Sequence, residues 1–270
     1  MVDRLVISAD ENTYFKEYIN IVYAAWKKFF PEIEVSLAFV SDRDPDDTIF
    51  KKLRKYMEVE VYPIVNGVPI ENQAKMARHF LAGKYDKDVI TIEDIDTIPL
   101  QRDFFEDKFS ARKEGTILFV GREVYDNTPD KGKCPISTMT AESFLFKKCF
   151  NPTNLSYEDF ISSFIGSSKF DSKENIAGPP SGFSDESVLR SLLSESDVPT
   201  TEKKRSVNIA QDWIDRSWWH VDSSRLKSGN YVTCNFLRPF SKNYQHMREV
   251  VEFIYGQDKE KGDVIFGLEQ

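Results

Sequence analysis

Over its first hundred residues the chain alternates between two periods, and that alternation narrows the folds open to it more than any other feature. The stretches "RLVISA", "EVSLAFVS", "VEVYPI" and "DVITI" are short, apolar and rich in β-branched residues. Between them run segments at about 13–30, 47–57 and 72–83 whose apolar residues recur at helical spacing. Strand and helix alternating at this distance build βαβ units with right-handed crossovers. The expectation is an α/β fold with a doubly wound, mostly parallel sheet and flanking helices. Ligands of such sheets sit beyond the carboxyl ends of the strands. That rule brings "SAD" (8–10), "VSD" (40–42) and an acidic run at 93–96 to one edge, facing one cleft.

The second half is less regular. "TILFVG" and "ISTMTAESFLF" read as strands, and "GSSKFDSKENIAGPPSGFS" at 166–184 reads as a mobile loop, long enough to cover a substrate. A helix is expected at about 185–193, then the aromatic stretch "DWIDRSWWHVD", a strand in "NYVTCNF" and a closing helix at 243–255. With 270 residues and 40% hydrophobic content, one large domain can bury its own core. A net charge of -8 argues against general affinity for nucleic acid backbones, which need clustered Lys and Arg. Three cysteines without a CxxC pair form no disulfide framework, which favours a reducing cytosol. "MVDRLVISAD" enters a strand without the regions of a signal peptide, and no run reaches membrane-spanning length, so a cytoplasmic location is expected.

The chemistry concentrates in "DVITIEDIDTIPL" (88–100). Val89, Ile90, Thr91 and Ile92 read as a strand covered on both faces, and Pro99 ends the ladder. Glu93, Asp94 and Asp96 then crowd the strand's carboxyl end. Two carboxylates about 5 Å apart repel by roughly 3 kcal/mol at an effective dielectric near 20, so the cluster needs a proton, a basic partner or a cation. On extended backbone the i, i+2 spacing of Asp94 and Asp96 puts both side chains on one side, where they can share a hard divalent ion. Capping the turn before Pro99 is the other use for such a pair.

With the preceding "NQAKMARHFLAGKYDK", this stretch resembles the GT-A-fold glycosyltransferases, in which an Asp-x-Asp motif holds a divalent cation bridging a nucleotide-sugar diphosphate. "GFSDESVLRSLL" is similar to the family's acceptor-side acidic helix and "YVTCNFLRPF" to a C-terminal donor-site strand. The resemblance implies a single Rossmann-related domain over 1–270, with a nucleotide-sugar half at 1–100 and an acceptor half at 101–270. It implies Mn²⁺ or Mg²⁺ on Asp94 and Asp96, and donor contacts from Ala9, Tyr14, Asp42, Lys75, Arg78, Asp94 and Arg238. Asp185 or Glu186 would contact the acceptor and, in an inverting enzyme, act as general base. Both also suit a helix start as macrodipole charges.

Many members complete the metal shell with a C-terminal His. Asn235 stands at that position here, so His220, Asn235, Asp222 and water all remain candidates, with His220 favoured over His79 and His246. The implied activity moves a sugar from a nucleoside diphosphate, UDP before GDP, to a hydroxyl of a glycan, lipid-linked carrier or protein. A catalytically inactive binding module of the same fold is the alternative. "DIDTI" also approaches the haloacid dehalogenase phosphatase motif, but Ile98 stands where that family has Thr or Val.

Overall fold

The computed structural model describes residues 1–125, 137–165, 185–205 and 209–256. Ten strands are described: β1 (Arg4–Asp10), β2 (Glu34–Val40), β3 (Glu58–Tyr62), β4 (Val89–Ile92), β5 (Thr97–Pro99), β6 (Ile117–Val120), β7 (Met139–Glu142), β8 (Thr200–Lys203), β9 (Trp213–Ile214) and β10 (Thr233–Asn235). Seven form one sheet in the order β3-β2-β1-β4-β7-β6-β8. The pairs from β3 to β4 are parallel, β7 runs antiparallel to β4 and β6, and β6 is parallel to β8. A smaller sheet has the order β5-β10-β9. The expected α/β class, a mostly parallel sheet with helices on its faces, is the one the chain adopts.

Strand periodicity builds the layers. Alternate residues of a strand face opposite sides, so Leu5, Ile7 and Ala9 of β1, with Val35, Leu37 and Phe39 of β2, enter one core. There they meet Ile21, Val22, Ala25 and Trp26 of the helix Ile19–Phe29, and Met247, Val250 and Val251 of the helix Phe240–Tyr255. Val6, Ala38 and Val40 point the other way, onto Met76, Ala77, Phe80 and Leu81 of the helix Ile70–Ala82. Full burial of a side chain of this kind contributes about 1.5–3 kcal/mol, so both layers are strongly held to the sheet.

Several expectations need correction. The helix expected at 13–30 is two, Thr13–Lys16 and Ile19–Phe29. The break falls where the Tyr18 N–H donates to the Phe15 carbonyl at 3.1 Å, and where the fully buried Tyr18 ring stacks on Phe236 with its hydroxyl donating to the Leu237 carbonyl. "ISTMTAESFLF" is a strand only over Met139–Glu142, and Ser143–Phe150 is a helix. Leu145, Phe146, Cys149 and Phe150 explain it, because their helical spacing lays one face on the second core. β4 already stops at Ile92, and Pro99 is instead the last residue of β5, opposite Thr233 in the smaller sheet. The loop expected at 166–184 lies outside the described residues. Among those described, no helix is long and apolar enough to cross a membrane.

Candidate functional site

The acidic run occupies the junction between the two sheets. β4 ends at Ile92, and the Thr97 N–H donates to the Asp94 carbonyl at 3.1 Å, closing a turn before β5. Asp94 and Asp96 therefore stand on a turn and not on extended backbone, and their surroundings differ. The Asp94 side chain is 45% exposed, whereas that of Asp96 is 1% exposed. Glu93, just before them, is wholly buried and accepts hydrogen bonds from Ser137 Oγ at 2.7 Å and Thr138 Oγ1 at 2.5 Å.

Basic partners meet this negative charge. One terminal nitrogen of Arg78, a buried residue of the helix Ile70–Ala82, donates to the Glu93 carbonyl at 3.0 Å and to Asp94 Oδ1 at 2.8 Å. Asp96 Oδ2 accepts from two guanidiniums. Arg216, in the short 3₁₀ turn after β9, supplies one donor, and Arg238, beyond β10, supplies Nε at 2.6 Å and a terminal nitrogen at 2.5 Å. The Arg238 guanidinium also lies 5.1 Å from the centre of the Phe15 ring.

Burial pushes the Glu93 carboxyl up to about 7, against the hydrogen bonds from Thr138 and Ser137. For Asp94, burial raises the carboxyl but the charge and hydrogen bond of Arg78 outweigh it, and the net shift is downward. For Asp96 burial prevails over Arg238 and Arg216, and the shift is upward. Three charged donors on a single oxygen nevertheless favour the ionised form of Asp96, as Arg78 does that of Asp94.

A cleft of about 200 Å³ opens beside the turn, at the carboxyl end of β1. Ala9, Lys75, Arg78, Asp94, Asp96 and Arg238, all singled out in the sequence, line it together, along with Ser8, Phe15 and Glu71. Lys75 pairs with Glu71 at 2.9 Å, one helical turn away. Tyr14 is 47% exposed and is not among the lining residues; its neighbour Phe15 is. Asp42 accepts from the Ile64 N–H at 3.2 Å, the use of a strand-end turn residue, and it too lies outside the lining.

Asp185 and Glu186 open the helix Asp185–Glu195, but their side chains lie outside the described residues. His220 is exposed. Asp222 caps the helix Ser223–Lys227, accepting from the N–H groups of Ser224 and Arg225. Asn235 accepts from Thr97 Oγ1 at 3.1 Å, across the β5–β10 pair. Of the paired tryptophans, Trp218 is exposed, while Trp219 stacks on the buried Phe236.

One oxygen of each aspartate expected to hold Mn²⁺ or Mg²⁺ is already engaged by a guanidinium. Among the described residues no group of three His, Cys, Asp or Glu is placed to hold a metal ion. The two aspartates already contact three guanidiniums, so an added cation would meet no net negative charge. Of the three ways to relieve the acidic run, the molecule uses the basic partner at Asp94 and Asp96, while burial favours the protonated form of Glu93.

No family model and no curated protein matches the chain. Solved structures do. An active-site mutant of LgtC is 12% identical over 86% of this chain and 86% of its own, with a TM-score of 0.45. The galactosyltransferase LgtC with donor and acceptor sugar analogues is 12% identical, covering 93% of this chain and 95% of its own, with a TM-score of 0.42. The apo glycosyltransferase GlyE of Streptococcus pneumoniae TIGR4 is 13% identical over 75% of this chain and 45% of its own, with a TM-score of 0.45. Likeness at this distance says nothing of activity.

Proposed function

We propose that the chain is a glycosyltransferase that moves a sugar from a nucleoside diphosphate sugar, UDP before GDP, to an acceptor hydroxyl of a glycan, lipid-linked carrier or protein. The observation that carries this reading is the cleft at the strand ends, where an aromatic ring, Phe15, stands beside Lys75, Arg78, Arg238 and the half-exposed carboxylate of Asp94. An ionised carboxylate accepts hydrogen bonds from sugar hydroxyls. Cationic side chains answer the charge of a diphosphate, which grows as it leaves. The divalent ion expected on Asp94 and Asp96 has no part in this reading, since guanidiniums already engage both carboxylates. Asp185 and Glu186 keep their proposed place on the acceptor side, one of them as general base if the enzyme inverts.

A phosphatase reading is disfavoured by the same contacts. It would need one aspartate as nucleophile and the other as acid, whereas Asp94 is paired with Arg78 and Asp96 is sealed beneath two guanidiniums.

Thermal-shift measurements with UDP, GDP and their sugars, followed by chromatographic detection of donor hydrolysis, test the reading. Stabilisation by a nucleoside diphosphate sugar and release of the diphosphate are expected, because a ligand of the native state raises apparent stability. Replacing the general base by Ala should lower turnover about 10²- to 10⁴-fold with donor affinity retained. Binding without turnover would leave an inactive module, and stabilisation by none of these ligands would remove the nucleotide reading.

A further inference from the structure

Asp96 is too enclosed to act mainly on a ligand, yet it contacts Arg238, which lines the cleft, and Arg216, which lies outside the lining but stays partly exposed on the same carboxylate oxygen. Its Oδ2 holds Arg216 and Arg238 at once, although they reach it from segments 120 and 142 positions away in sequence. A guanidinium carries five N–H donors in a rigid planar fork, so these contacts fix its orientation and leave further donors for another anion. Both arginines stay partly open, with 41% of the Arg216 side chain and 28% of the Arg238 side chain exposed. Lys75, 28% exposed, adds a third accessible positive charge on the wall formed by the helix Ile70–Ala82. Pairs of phosphate oxygens match a guanidinium fork.

We propose that this chain grips the diphosphate of its donor with Arg216 and Arg238, that Asp96 is the positioning residue that aims them, and that donor binding needs no divalent cation. The proposal rests on the nucleotide-sugar reading and deepens it. A metal bound at Asp96 Oδ2 would have to displace a guanidinium and would repel the one it displaced. A diphosphate requires no such exchange, because it adds negative charge where two carboxylates already face three guanidiniums.

Calorimetric titration of UDP and of GDP into the purified chain, in buffer with EDTA and in buffer with Mn²⁺, tests it. The dissociation constant should agree between the two buffers within about threefold. Arg216→Ala and Arg238→Ala should each weaken binding by about tenfold or more in both buffers, the worth of a charge-assisted contact. Asp96→Asn should weaken it in EDTA as well, since a neutral amide aims guanidiniums poorly; a metal-ligand role would affect only a Mn²⁺-dependent part. Circular dichroism checks that each variant is folded. Should Asp96→Asn fail to fold, the two arginine variants, altered at partly exposed side chains, decide the matter.

Binding that disappears in EDTA and returns with Mn²⁺ overturns the proposal and leaves the nucleotide reading standing. So does a protein-bound Mn²⁺ signal in electron paramagnetic resonance that Asp96→Asn removes. Absence of UDP and GDP binding in both buffers overturns the nucleotide reading itself, and the proposal with it.

Discussion

Glu93 has no exposed surface at all, yet it directly precedes the aspartate that opens half its side chain to the cleft. Its carboxyl is raised from 4.5 to about 7 by burial, so the folded chain holds a proton there that the unfolded chain has already released. A raised acid contributes stability that is fully present below about pH 4.5 and is lost as pH climbs through about 7; a shift of that size is worth on the order of 3 kcal/mol. Urea titrations from pH 5 to 8 should show this decline, and Glu93→Gln, which keeps the shape without the charge, should flatten it. Equal slopes for both proteins would mean that Glu93 stays ionised on its hydroxyl partners. What was legible at this scale depended on proximity in sequence. Lys75 and Arg78 precede the acidic run within one βαβ unit, and Arg238 stands in a stretch similar to a donor-site strand, so the sequence singles out three residues that line the cleft. The Arg216 contact with Asp96 is not legible in the sequence because only folding brings the two together; its one local mark is a basic residue opening the run "RSWWH". The same holds for Phe15, which lines the cleft where the sequence singles out the neighbouring Tyr14.

The elements of the first hundred residues were legible because each has one strong period, but some boundaries were set by tertiary demands. No local pattern announces the break at Tyr18, which follows from a ring inserted between Phe236 and Phe240. β8 was invisible for the opposite reason: "TTEK" at the edge of the large sheet has little apolar character, with residues alternating between exposed and intermediate. Phe236 is the residue on which several of these elements converge. It has no exposure and contacts Tyr18, Trp219 and Phe240, just before the segment that carries Arg238. Phe236→Ala should cost about 3–5 kcal/mol, the usual penalty for emptying such a site. Chemical denaturation measures that loss, and a loss under about 1 kcal/mol would show that the three aromatics close the gap. Nucleotide affinity should fall in the same variant, since the Arg238 segment loses its seat.

At the scale of the whole chain, the expected division into a nucleotide half and an acceptor half cannot also be a division into folding units. The first core joins residues from Val2 to Phe105 with others from Ile214 to Ile254, and the second runs from Val6 to Val198. Each therefore draws on both halves, and β1 and β2 feed both cores at once. A fragment of residues 1–100 alone should unfold without a cooperative transition in urea, while the full chain should show one. A sharp transition in the fragment would establish it as a unit of its own. The turn at Asp94 and Asp96 carries this interleaving to its smallest scale. Asp94 is tied to Arg78, on a helix packed against the large sheet, and Asp96 to Arg216 and Arg238, which flank strands of the small one. The two carboxylates are thus adjacent stitches through different layers of one seam, and any ligand that draws a guanidinium from Asp96 slackens a stitch. A diphosphate held by the outer edges of those guanidiniums leaves both stitches drawn, so the seam stays closed while the cleft fills.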